Sequence, residues 1–451
     1  MNSFFTAFRR NRVALLGFVA FAVVIGFGTW RALVPRNDSR LEAIRKDGYP
    51  LTLADLDAWY LRIPDSENAA LIYTNAFYLL SAIDTRNAAT NLIGDIPLLR
   101  EGQPISPDDR AKLTSLLASN RAALDLIHSA GELAQSRYPI DLKQGANTLL
   151  PDLAKAKSAV LILTAQAYLH SIDGNPQGVT ESFVAAGRVA DSFAAEPLVI
   201  SSLVRMACWN IIVKRLQLVL NNTSLTEDQL IVLEKLFAKA EQPWALARSL
   251  AGERALALSF ANDPLSSRRT RSPQETTARK RTGMGSGLYK LVGFAKKDQA
   301  FLLDVMITNI AAAELPYPER FQSSKPAAAS MLARPSRFYI LSSAFLPALA
   351  GVYEKDADHT ARVRVARTAL AVERYRRSHG NVVPESLEKL VTGILEEVPK
   401  DPIDGQMLRF RKAGFGYAIY SIGLDEMDDG GNEFDPNNTK GGRDITFIVE
   451  H

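Results

Sequence analysis

Three regimes of hydrophobic patterning follow one another along the chain. Residues 13–30, VALLGFVAFAVVIGFGTW, form an uncharged apolar run without a polar stripe. At about 1.5 Å per residue, a helix of that length reaches about 27 Å, close to the hydrocarbon thickness of a bilayer. Arg9, Arg10 and Arg12 precede the run, and Trp30 with Arg31 stands at its far end, where interfacial residues belong. The run exceeds the usual apolar core of a signal peptide and offers only Gly26 and Gly28 as small residues near a cleavage point. A retained single-span transmembrane helix is therefore expected, with residues 1–12 as a cytoplasmic tail and membrane lipid as the first partner. Basic residues lie on both sides, so orientation rests on the short tail being more easily left inside, with the bulk of the chain extracytoplasmic.

From residue 31 to about 358 the apolar positions recur at helical spacing. Thr52 caps a helix beginning TLAD, and Pro64–Ala70 leads into another running to about Ile83. Ser106-Pro107-Asp108-Asp109 combines a capping serine, a first-turn proline and two acids at the positive end of the helix dipole. That helix is expected to reach about Ala130. Further helices are expected at 152–172, 176–195 and 197–220, and Thr226-Glu-Asp-Gln229 is a capping box for one that ends before Pro243. Ala167, Gly174, Phe183 and Ala186 fall at tetratricopeptide spacing, but no second copy follows at a 34-residue offset, so an ordinary antiparallel helix pair is expected.

Beyond residue 359 the period changes. A helix, ARVRVARTALAVERYRRSHG, runs to Gly380, a short one follows at 384–390, and Met407–Arg411, Gly416–Ile422 and Asp444–Glu450 alternate as strands. The fold expected is mainly α, with a transmembrane helix, an α-helical domain over 31–358 and a small α+β module over 359–451.

Composition narrows the chemistry. The net charge of +4 over 451 residues gives no general case for nucleic-acid binding, and the one cysteine, Cys208, excludes an internal disulfide. Cys208 lies in the apolar run VRMACWNIIV and reads as a small buried hydrophobe. The basic stretch within 264–287, holding Arg268, Arg269, Arg271, Arg279, Lys280 and Arg281, has no aromatic residues interleaved to stack on bases and reads as a solvated flexible loop. His128, His170, His359, His379 and His451 are scattered, with no His-Glu-x-x-His helix, and neither a Gly-x-Ser-x-Gly elbow nor a phosphate loop is present. No catalytic residue is expected.

The informative segment is SIGLDEMDDGGNEFDPNNTKGGRDI, residues 421–445. Seven carboxylates, Asp425, Glu426, Asp428, Asp429, Glu433, Asp435 and Asp444, face only Lys440 and Arg443. Such crowding is repulsive without a counter-ion, and calcium, with its flexible six to eight oxygen ligands, would relieve it; the alternative is a disordered acidic hairpin that hydrates freely and is neutralised by sodium. The glycine pairs at 430–431 and 441–442 allow tight turns that offer carbonyl oxygens. An EF-hand does not fit, since the third and twelfth positions from Asp425 are Met427 and Pro436.

Residues 361–450 resemble the globular part of the type II secretion major pseudopilin. The resemblance rests on Tyr375 and Gly380 closing the helix, Pro384 and Leu387, the turn Val398-Pro399-Lys400-Asp401-Pro402, the segment Ser421-Ile422-Gly423-Leu424-Asp425, and Asp444-Ile445. It implies a calcium-binding last loop with Asp425 and Asp444 as side-chain ligands, Asp428 nearby, and Ser421 contributing its backbone carbonyl. Glu426 stands where that family usually has glycine. No prepilin cleavage motif precedes the apolar run, and some 300 helical residues are added, so polymerisation as a pilin is not expected. The whole arrangement resembles membrane-anchored bacterial envelope proteins that end in such a module. That resemblance supplies an architecture and no activity; the reading favoured is a non-enzymatic scaffold or binding protein at the bacterial inner membrane, with a protein partner, and the second is an accessory component of a type II secretion or pilus-like assembly that docks on pseudopilins. A hydrolase with its site in the helical domain is the third reading.

Overall fold

The computed structural model describes residues 39–80, 105–262, 294–333, 339–391, 393–414, 416–432 and 442–450. The apolar run at 13–30, the basic stretch at 264–287 and residues 433–441 of the acidic segment lie outside them. Among the described residues, no helix is long and apolar enough to cross a membrane.

The protein is mainly helical, with one small sheet near its C-terminal end. In chain order the α-helices are α1 (Ser39–Lys46), α2 (Leu53–Trp59), α3 (Ala69–Leu79), α4 (Pro107–Ser119), α5 (Arg121–Ala130), α6 (Asp152–Ile172), α7 (Pro176–Asp191) and α8 (Val199–Leu220). They continue as α9 (Glu227–Ala240), α10 (Ala245–Asn262), α11 (Phe294–Glu314), α12 (Glu319–Gln322), α13 (Ser324–Leu332), α14 (Ile340–Phe345) and α15 (Val352–Ser378). The strands are β1 (Arg409–Ala413), β2 (Gly416–Ser421) and β3 (Ile445–Val449).

The helix starts follow from local chemistry. Thr52 and Asp55 form a reciprocal capping box at α2, Thr226 and Gln229 form another at α9, and the Ser106 hydroxyl accepts from Asp109 N at α4. The single helix expected from Ser106 to Ala130 is two, because the backbone leaves the helical region at Asn120 and its buried side-chain amide donates back to Leu116 O. The segment 384–390 forms only a 3₁₀ turn at Leu387–Leu390. Replacing Thr226 with alanine leaves Gln229 N without its capping oxygen and should cost about 1 kcal/mol, read as a lowered urea midpoint.

The pair α6–α7 is an antiparallel hairpin turning at Gly174, the helix pair expected at the tetratricopeptide-like spacing. Together with α3, α5, α8 and α9 it encloses a core that includes Phe183, Trp209 and Phe237. A buried polar knot ties this core together: Asp191 Oδ1 accepts from Arg205 Nε and Trp209 Nε1, both at 2.9 Å, and Arg205 donates to Ala240 O at 2.6 Å. A second core joins α10, α11, α13 and α14. The helix α10 passes so close to the α7–α8 loop that a Cβ at Gly252 would sit 1.8 Å from the Pro197 carbonyl oxygen, which leaves room for glycine alone.

The helix α15 carries the C-terminal sheet. One side packs on α8 and α9 and the other on β2 and β3, so its residues from Ala361 to Val372 share one continuous core with the helical bundle and with Tyr417, Ile419, Phe447 and Val449. The sheet is antiparallel in the order β1-β2-β3, with Phe410 opposite Ile419 and Ile419 opposite Phe447. The outer edge of β3 is closed by Asn221 from the end of α8, which donates to Ile448 O at 3.2 Å and accepts from Glu450 N at 2.6 Å.

Candidate metal centre

The acidic segment is positioned from below by Asp401, in the Val-Pro-Lys-Asp-Pro turn. Its side chain is 0% exposed. One carboxylate oxygen accepts from Ile403 N at 2.9 Å and the Ser421 hydroxyl at 2.8 Å. The other accepts from Ile422 N at 3.0 Å and Arg409 at 2.8 Å. Burial raises the pKa of Asp401, while these donors pull it back. The end of β2 is thereby fixed to the turn, and the segment after Ser421 leaves from a rigid base.

Gly423 then brings the start of the segment against its end. It adopts φ +71°, and a Cβ there would lie 2.3 Å from Arg443 O. Across this contact sits Asp444, only 6% exposed. Its Oδ2 accepts from Gly431 N at 2.7 Å and Asp429 N at 3.1 Å, whereas its Oδ1 is buried without a hydrogen-bond partner. Burial pushes the Asp444 pKa up, opposed by the two backbone donors and reinforced by Asp428 and Asp429. A carboxylate held from one side, with its second oxygen orphaned, has the donor chemistry of a cation ligand.

Asp425 is exposed, and its Oδ1 takes a long contact of 3.4 Å from Met427 N. Asp425 and Asp444 line the same cleft of about 410 Å³, which Glu354 and Asp358 of α15 also line. Lys325 of α13 and Arg443 supply positive charge at the cleft, and Asp358 is held by Arg362 at 2.8 and 2.9 Å. The side chains of Asp428 and Ser421 have partners of their own. Asp428 turns toward Gly430 N at 2.9 Å and Arg409 Nε at 3.8 Å, and the Ser421 hydroxyl is engaged by Asp401. Asp425 and Asp444 thus share a cleft, Asp428 lies close enough to act on Asp444 through its charge, and Ser421 stands opposite Ile445 in the β2–β3 register, next to Asp444. Among the described residues, no three His, Cys, Asp or Glu side chains are gathered as a preformed metal cluster.

Glu426 adopts φ +63°. The left-handed backbone costs a side-chain-bearing residue roughly 1–2 kcal/mol. Its carboxylate reaches Lys325 Nζ at 2.5 Å, linking the acidic segment to α13.

Elsewhere, the cysteine is enclosed and His128 and His170 are half-buried. Cys208 is fully buried, and burial pushes its thiol up to about 12. His128 lies 3.3 Å from Gln166 Oε1, and His170 packs beside Gly178. Glu354 and Asp358 carried no sequence signal as cleft residues, because their recurrence on α15 looks like an ordinary solvated face. No known family model, curated protein or solved structure matches the chain.

Proposed function

We propose that this chain is a single-span protein of the bacterial inner membrane, with its bulk extracytoplasmic, acting as a non-enzymatic scaffold or binding protein whose C-terminal segment is stiffened by calcium. The observation that carries the calcium reading is the orphaned, buried Oδ1 of Asp444, a residue that lines one cleft with Asp425. Asp425 and Asp444 would hold the ion, and backbone carbonyls of the glycine-rich segment would complete its shell. Its role would be to neutralise crowded carboxylates and fix a surface, since α13 and α15 meet the acidic segment at the same cleft.

The second reading is an accessory component of a type II secretion or pilus-like assembly. A long helix packed on a three-stranded antiparallel sheet, with the Asp401 turn at its base, supports a pseudopilin-like module that docks on true pseudopilins. Co-purification of the full chain with pseudopilins separates the two readings.

The calcium reading is tested by hydrogen exchange and thermal melting of the full chain in detergent, with calcium and with chelator. Calcium at a hundredfold excess over its Kd should add about 3 kcal/mol. It should also slow exchange over 421–432 and 444–450. Asp425→Ala, an exposed substitution, should weaken that response while leaving the chelated protein unchanged, and Asp444→Asn should abolish it. Equal exchange and melting in both conditions would sink the site.

A further inference from the structure

A second cleft, of about 500 Å³, lies where α1, α2, α10 and the end of α11 meet. Tyr49, Trp59 and Trp244 line it together with Pro243, Arg248 and Glu314. The rings of Tyr49 and Trp59 stand 5.8 Å apart at 58°, and Trp244 is 47% exposed at the rim. Nothing in the acidic segment or its calcium reading uses this place.

Its electrostatics are unbalanced. Arg248 lays its guanidinium over Trp59, 4.1 Å from the ring centroid. It donates through Nε to Ala195 O and through one terminal nitrogen to Trp59 O, both at 2.9 Å, and its third nitrogen makes neither of these bonds. Behind Tyr49, at 5.3 Å from that ring, lies Arg254, only 2% exposed, with Nε and one terminal nitrogen unpartnered. Burial lowers its pKa to about 10, so it stays charged at neutral pH. Among the described residues no carboxylate pairs with it. An unpaired buried guanidinium is costly, and an anion brought close to it recovers part of that cost. Glu314 is exposed and accepts the Tyr49 hydroxyl, so the rim offers an acceptor as well as a donor.

We propose that this cleft binds an acidic saccharide, a ring of hexuronate type whose apolar face lies on the exposed Trp244 indole at the rim while its carboxylate meets Arg248 over the field of Arg254. The faces of Trp59 and Tyr49 already carry arginine cations, so a cationic ligand is disfavoured by like charge. A simple aromatic acid would satisfy the aromatic planes and the arginines but would leave Glu314 facing an apolar ring edge. A hydroxyl-bearing ring supplies donors to Glu314 and a carboxylate to Arg248 at once. The volume suits one or two sugar units.

The cleft holds two of the four tryptophans of the chain, Trp209 being sealed in the core and Trp30 lying in the apolar run. Intrinsic fluorescence therefore reports on it directly. The full chain, in a detergent without a sugar headgroup, is titrated with digalacturonate, with the neutral disaccharide galactobiose and with benzoate. Saturable quenching by digalacturonate is expected, weaker by at least about tenfold in Trp244→Ala, a change that leaves the fold intact because the side chain is half exposed. Galactobiose binding as tightly as digalacturonate would overturn the role of the arginines. Benzoate binding as tightly would overturn the saccharide assignment. No saturable signal with any of the three, or an unchanged affinity in Trp244→Ala, would overturn the site.

Discussion

Replacing Asp401 with alanine should destabilise the protein by about 3–5 kcal/mol, the cost usual for removing one partner of a buried ion pair. The carboxylate is fully buried and satisfies four donors, two of them backbone N–H groups and one the Arg409 guanidinium. Arg409 keeps Asp404 and a distant Asp428 after the change, which holds the estimate at the lower end of that range. Ile403 N and Ile422 N keep nothing, the Ser421 hydroxyl loses its acceptor and keeps only the Gly423 N–H donating to it, and each buried group left unpaired costs about 1–3 kcal/mol. Because α15 belongs to one continuous core, the loss should appear as a shift of the main urea transition of the full chain. Asp401→Asn should lose less, since its amide oxygen still accepts two donors while its amide nitrogen faces Ile422 N and Arg409. An alanine variant within about 0.5 kcal/mol of the parent, the range usual for surface substitutions, would mean that this turn does not hold the sheet.

Asp401 also shows what the sequence makes legible and what it does not. Val-Pro-Lys-Asp-Pro stands out as a turn because two prolines restrict it, and the strand spacing around it places β1 and β2 within two residues of their observed limits. The role of the aspartate is invisible there, since three of its donors come from residues 409 to 422. Helix starts were readable for the opposite reason: Thr52, Ser106 and Thr226 act on residues three positions ahead. The acidic segment announced its charge but not its geometry. That the Asp428 carboxylate points to Arg409 and the Ser421 hydroxyl to Asp401 depends on contacts across the turn that no spacing shows. The aromatic cleft could not be seen at all, because Tyr49, Trp59, Trp244 and Glu314 are joined only by the packing of α10 on α11 and α2.

The largest pH effect should come from two buried groups with opposite signs. Glu196 is 2% exposed, with Oε1 accepting from the Ser201 hydroxyl at 2.6 Å and Oε2 without a partner. Burial raises its pKa from 4.5 to about 7, with Asp152 adding to the rise and Ser201 opposing it. Between those values the folded chain keeps a proton that the unfolded chain has released, so stability falls as pH rises. At 1.36 kcal/mol per unit the total is roughly 3 kcal/mol. His359 runs the other way. Burial, with Arg205 nearby, lowers its pKa from 6.5 to about 3, and its Nδ1 has no partner. Its contribution is complete above pH 6.5 and is lost as pH falls toward 3. From pH 4.5 to 6.5 the two slopes oppose each other, and the parent protein should show little net dependence from this pair. Glu196→Gln removes one slope. Its stability relative to the parent should increase by roughly 3 kcal/mol between pH 4.5 and pH 8, whatever the offset at the acid end. His359→Gln should lose the acid-side decline and leave stability falling with pH from 4.5 to 7. Urea midpoints of the three proteins across that range provide the measurement. A difference between Glu196→Gln and the parent that does not change with pH would mean that Glu196 ionises in the folded protein as it does in the unfolded chain, and that its burial carries no proton.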